Sequence, residues 1–126
     1  MITLATLPMA TQQEVFDQVS SHLLAQGKRC VAVDQQALIT DCRYHGPDGL
    51  KCAAGCLIGE DEYDPTMERL GWGSLVKNNL VPAAHADTII LLQGIHDSRG
   101  PNEWVESLAK FARKHNLQFS PPEKAA

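Results

Sequence analysis

The 126-residue chain contains no apolar run approaching the ~20 residues that a membrane-spanning helix needs. Its first residues, Met1-Ile-Thr-Leu-Ala-Thr-Leu-Pro8, place no Lys or Arg ahead of an apolar stretch, and the stretch is too short for a signal core. These absences predict a cytoplasmic protein with no membrane association. Positive charge is scarce as well: 11 Lys and Arg against 15 Asp and Glu leave a net −4, which removes any general attraction to phosphate backbones. No nucleic-acid partner is expected. The chain also lacks a Gly-rich phosphate loop, a serine nucleophile elbow and a dinucleotide fingerprint, so no cofactor is expected.

Metal chemistry is short of ligands in three places. The acidic run Glu60-Asp-Glu-Tyr-Asp64 misses the EF-hand spacing and its central Gly, which leaves a solvated loop. Cys30, Cys42, Cys52 and Cys56 are separated by 11, 9 and 3 residues, without the paired short knuckles of a zinc site. In a reducing compartment such cysteines are expected as free thiols, and no metal is expected with them. His96-Asp97 invites comparison with HD-type phosphohydrolases, but no Asp follows Asp97 to complete their ligand set. The plainer reading makes His96 the hydrogen-bonded polar end of a helix.

What is present is densest between Cys42 and Ile58. Gly46-Pro47-Asp48-Gly49 combines Pro for the first turn position, Asp to bond nearby backbone and Gly for positive φ. Thr40, Cys42 and Tyr44 alternate with Asp41, Arg43 and His45 before it, and Leu50 and Cys52 alternate with Lys51 and Ala53 after it. Period-2 alternation around a turn predicts a β-hairpin over residues 40–53. Cys52-Ala-Ala-Gly-Cys-Leu-Ile58 then loses alternation and gains small residues, predicting a tight helical turn whose close approach Gly55 permits.

Tyr44 to Ile58, with Leu92-Gln93 and Ile95-His96-Asp97, resembles a family of small uncharacterised bacterial and bacteriophage proteins. Its pattern reads Tyr-x-Gly-Pro-Asp-Gly-x-Lys-Cys-Ala-x-Gly-x-Leu-Ile, with Arg often at the place of His45 and Pro at that of Gly59. The resemblance implies a phage or bacterial origin and transfers no catalytic residue.

The remainder reads as helices. Thr11-Gln-Gln-Glu14 is a capping box ahead of Val15, Phe16, Val19 and Leu23 at helical spacing, with Gly27 as the stop, so a helix is predicted over 12–26. Cys30 to Val33 is compatible with a third strand or an irregular connection. Asp64-Pro65 opens a predicted helix over 65–70, Ser74 caps another over 75–79, and Asn102 caps a last one bearing Trp104, Leu108 and Phe111. Residues 84–97 hold Ile89, Ile90, Leu91, Leu92 and Ile95 around most of a helical circumference, predicting a central buried helix with another element crossing at Gly94. The expected fold is α+β and mostly α: four to five helices around 84–97 and one small hairpin. Residues 1–10 read as an extension, 11–117 as one domain and 118–126 as a disordered tail.

Two functions fit this pattern. One is a non-enzymatic interaction factor, monomer or homodimer, engaging a host or bacterial protein through Arg43, His45, Asp48 and Lys51 with Glu60, Asp61, Glu62 and Asp64. Side chains fixed around a strongly specified turn lose little freedom on binding. The other is a small hydrolase or transferase with Cys52 as nucleophile and His45, His96 or Asp97 in support, which requires those groups to converge.

Overall fold

The computed structural model describes residues 1–34 and 39–121. Among them are four α-helices: α1 (Gln12–Gln26), α2 (Trp72–Lys77), α3 (Ala86–Ser98) and α4 (Trp104–Lys114). Two short strands, β1 (Val31–Asp34) and β2 (Ile39–Cys42), pair antiparallel with Val31 opposite Cys42 and Asp34 opposite Ile39. The mostly helical character agrees with the sequence pattern.

The helix α1 starts and stops where its sequence dictates. The Thr11 hydroxyl accepts the Glu14 N–H at 3.1 Å and the Glu14 carboxylate accepts the Thr11 N–H at 2.9 Å, a reciprocal cap that contributes ~1 kcal/mol. Gly27, at φ 65°, closes the helix by donating its N–H to the Leu23 carbonyl. Val15, Phe16, Val19 and Leu23 are buried against α3, α4 and the turn at Gly55–Leu57. The first residues and Gln118-Phe119 lie on the same helix: Ile2 bonds Gln18, Gln118 bonds Gln13, and Phe119 meets the Phe16 ring edge-on at 5.7 Å. Residues 122–126 of the expected tail, and Gln35-Gln36 after β1, fall outside the described residues.

Three glutamines of α1 hold irregular segments in place. Each carboxamide gives one donor and one acceptor to the backbone of a single residue, which is what a neighbouring strand would offer. Gln18 pairs with Ile2 at 2.6 and 2.9 Å, Gln26 with Lys51 at 3.0 and 2.9 Å, and Gln13 with Gln118 at 2.9 and 2.9 Å. Helix α1 is therefore the hub that fastens the N-terminus, the Lys51 turn and the C-terminal segment.

The hairpin expected over 40–53 is not formed. Strand pairing occurs earlier in the chain, between β1 and β2, and past Cys42 it shrinks to a single bridge between His45 and Lys51. The cause is competition for backbone groups. The Arg43 N–H bonds Cys30, the Tyr44 and His45 amides go to the Glu68 carboxylate at 2.9 and 3.3 Å, and Gln26 takes both polar groups of Lys51. A ladder cannot extend through residues whose donors are already engaged. Pro47–Gly49 closes the turn as a 3-10 segment with Asp48 and Gly49 both at positive φ.

The expectation of a helix buried all round is corrected too. Helix α3 buries Thr88, Ile89, Leu92 and His96, but Ile90 and Leu91 are 44% and 49% exposed on its far side. Among the described residues no element crosses at Gly94, where an added Cβ would meet nothing within 4 Å. The helix expected over 65–70 is one turn, Pro65–Met67, capped by Asp64, because Glu68 leaves in extended conformation and Arg69 turns to φ 67°. Gly71 rather than Ser74 starts α2, and Gly100 rather than Asn102 starts the Pro101–Glu103 turn that leads into α4.

Candidate functional site

The small-residue turn after Lys51 packs directly beneath Tyr44. A Cβ on Gly55 would fall 1.9 Å from the Tyr44 carbonyl oxygen, so only glycine permits this approach. On one side of the turn, His45 Nε2 donates to the Gly55 and Ile58 carbonyls at 2.9 and 3.0 Å; both partners are acceptors, so this nitrogen carries the proton. The His45 ring stacks on Tyr63 at 4.4 Å, and the Tyr63 hydroxyl donates to Glu68 at 2.6 Å. His45 is thereby a fixed strut.

On the other side lies Cys52. Its sulfur is buried and accepts the Gly55 N–H at 3.3 Å, and burial drives the thiol well above its ordinary pKa. Cys30 and Cys56 are pushed up, to about 11 and about 12, for the same reason. A nucleophilic cysteine needs the opposite environment, one that stabilises thiolate. Among the described residues no hydrogen bond joins Cys52 to His45 or His96.

His96 is fully buried at the end of α3 and stacks on Trp104 at 5.8 Å. Its Nε2 accepts the Cys30 backbone N–H at 2.9 Å, which leaves the ring proton on Nδ1, and Nδ1 donates to Asp97 at 2.7 Å. Asp97 also accepts from Gln93 at 2.8 Å and from the Cys42 thiol. Burial opposes its charge, yet these donors outweigh that and hold the carboxyl below its usual range. Gln93 in turn accepts the Ala54 N–H at 2.9 Å, tying the Gly55 turn to α3.

Ligand atoms of Cys42, His96 and Asp97 lie within 4.8 Å of one another, the spacing of a metal group. The tautomer opposes that use. Ligation through Nδ1 would require the ring proton on Nε2, where it would face the Cys30 N–H, a second donor. With both ring nitrogens engaged, this arrangement weighs against His96 as a ligand or a general base.

The surface residues divide by duty. Glu62 accepts the Leu4, Ala5 and Gly59 amides at 2.8, 3.0 and 2.8 Å; burial raises its carboxyl, and the three backbone donors more than reverse that. Asp64 caps Thr66 at 2.9 Å. Lys51 and Glu60 form an ion pair at 2.9 Å with the Glu60 side chain 80% exposed, which joins the Gly46–Gly49 turn to the acidic loop. Asp48 and Asp61 are exposed, and Arg43 is half-buried with its Nε unpartnered. His45, Glu62 and Asp64 are thus engaged with backbone, while Asp48, Lys51, Glu60 and Asp61 carry the charge of the turn and the acidic loop.

No family model, curated protein or solved structure matches this chain.

A cleft of about 210 Å³ opens beside the Asp97 network, lined by Cys42, Arg43, Cys52, Arg69, Trp72, Gln93 and Asp97 with Tyr44, Leu70 and Gly71. Roomier grooves exist: one of about 580 Å³ along α1 holds neither cysteine nor histidine, and one of about 630 Å³ is lined by His85 and His115 but no cysteine. The sequence reading missed Glu68, Gln93 and Trp72. A lone Glu after a helix stop, a Gln on a polar helix face and a Trp between glycines carry no periodic signal, and the backbone amides that Glu68 and Gln93 hold, at Tyr44 and Ala54, are 24 and 39 residues away. Among the described residues no helix is long and apolar enough to cross a membrane.

Proposed function

We propose that the chain is a non-enzymatic interaction factor of the cytoplasm, a phage or mobile-element accessory protein that engages a host protein. Its contact face is Arg43, Asp48, Lys51, Glu60 and Asp61. The observation that supports this most is the Lys51–Glu60 pair, which makes turn and acidic loop one continuous charged surface over a backbone fixed by Glu62, Asp64, Glu68 and Gln26. A surface ordered in advance loses little entropy on binding. The rival hydrolase centred on Cys52 needs a thiolate near a free imidazole, and the buried thiol and the engaged rings of His45 and His96 weigh against it.

Photo-crosslinking in a bacterial lysate tests the proposal, with the crosslinker placed at Asp48, at Asp61 or at exposed Lys110 on α4. One discrete adduct should form from the first two positions, not from Lys110, and should vanish on Lys51→Glu with an unchanged melting temperature. Equal labelling from all three positions, or an adduct indifferent to Lys51→Glu, would refute the assigned face.

A further inference from the structure

Three side-chain nitrogens among the described residues are buried without a hydrogen-bond partner: Arg43 Nε, Trp72 Nε1 and His115 Nε2. Two of the three belong to one cleft, the one beside Asp97. A buried donor left unmet is costly, so two on the walls of a single cavity point to an occupant that brings acceptors. Asp97 lines the same cleft, its side chain 40% exposed and oriented by His96, Gln93 and Cys42. That carboxylate stays ionised at neutral pH, because the donors around it outweigh its burial. With Arg43 and Arg69 also in its lining, the cleft presents both signs of charge to an occupant.

Size narrows the class. At roughly 30 Å³ per water, the cleft of about 210 Å³ holds about seven waters, below the ~300–1,000 Å³ typical of drug-sized ligands. The occupant must be compact, anionic at one end and cationic at the other. We propose that this cleft binds a free α-amino acid, its ammonium on Asp97 and its carboxylate on the Arg43 and Trp72 donors. Neither nitrogen is reached by solvent, so binding includes a small side-chain adjustment, which the flexible stem of half-buried Arg43 allows. Tyr44, edge-on to Trp72 at 6.2 Å and anchored through its hydroxyl to the Leu70 carbonyl, keeps the indole wall in place.

The test screens the protein amino acids one at a time by saturation-transfer NMR and titration calorimetry on the full chain. For a hit such as valine, isobutylamine and isovalerate serve as the partners lacking carboxylate and ammonium. At least one amino acid should bind, with both half-molecules at least tenfold weaker. Asp97→Asn keeps an acceptor for His96, and Trp72→Phe removes only the indole N–H with its ring; each should weaken binding at least tenfold while far-UV circular dichroism is unchanged. The proposal is overturned if no amino acid binds, if either half-molecule binds as well as the whole, or if both variants bind like the wild type.

Discussion

Replacing Gly55 by Ala should be among the most damaging single changes in the chain. The new methyl would lie 1.9 Å from the Tyr44 carbonyl oxygen and 2.7 Å from its carbon. A carbon beside an oxygen needs about 3.3 Å, so the turn must retreat by about 1.4 Å. That movement breaks the Cys52 N–H bond to Tyr44, now 3.3 Å, disturbs the Gly55 N–H on Cys52 and withdraws the Gly55 carbonyl from His45. Overpacking costs ~1–3 kcal/mol and each lost buried hydrogen bond ~1 kcal/mol, which together give about 3–5 kcal/mol. A domain of this size has roughly 5–15 kcal/mol to lose. Urea unfolding followed by far-UV circular dichroism measures the change, and the midpoint should fall by more than about 1 M. Gly94→Ala is the matched control: nothing lies within 4 Å of its Cβ, and helix propensity alone should raise stability by about 0.5–1 kcal/mol. A Gly55→Ala loss below about 1 kcal/mol, or a Gly94→Ala loss of any size, would refute the packing described for these two glycines.

Gln26→Glu keeps an acceptor for the Lys51 amide but sets a carboxylate against the Lys51 carbonyl, and should cost about 1–3 kcal/mol in the same assay; an unchanged midpoint would show that the carboxamide pairing is dispensable. Burial lowers the His22 pKa below 6.5, so on acidification the unfolded chain takes up this proton first. The stability His22 supplies is complete above its unfolded pKa and falls as pH drops through about 6.5 towards the folded value, and His22→Gln should flatten the loss measured between about pH 7.5 and about pH 5.5. Thiol titration should find four free cysteines, with exposed Cys42 reacting first and Cys30 and Cys52 only on denaturation. Elemental analysis should find no stoichiometric metal, and one zinc per chain would overturn the tautomer argument at His96.

Sequence signals carried by local chemistry survived into the structure. The Thr11–Glu14 box, the Gly27 stop and the Asp64 cap each depend on residues a few positions apart, the close approach at Gly55 reaches only back to Tyr44, and each sits where the pattern put it. Signals that depended on a distant competitor did not. Residues 40–53 alternate well enough for a hairpin, yet Glu68 and Gln26 take the amides that pairing would use. Ile90 and Leu91 read as core because hydropathy cannot show that the far side of α3 is left about half exposed. For the candidate site, Lys51 and Glu60 were legible as one surface because the turn and the acidic loop are close in sequence. The cleft was not, since Trp72, Gln93 and Asp97 meet Cys42 only through the packing of α2 and α3 on the segment after β2.

The central claim is that the histidines near the Cys42–Ile58 stretch hold backbone rather than perform chemistry, and the position of two protons decides it. Long-range proton–nitrogen correlation NMR of the imidazole rings reads those positions directly. His45 should carry its proton on Nε2, facing the Gly55 and Ile58 carbonyls, while His96 should carry its proton on Nδ1, with Nε2 accepting from Cys30. Added zinc should leave both patterns unchanged. A proton on Nε2 of His96, or a spectrum that changes stoichiometrically with zinc, would contradict the claim and restore the Cys42, His96 and Asp97 group as a metal centre.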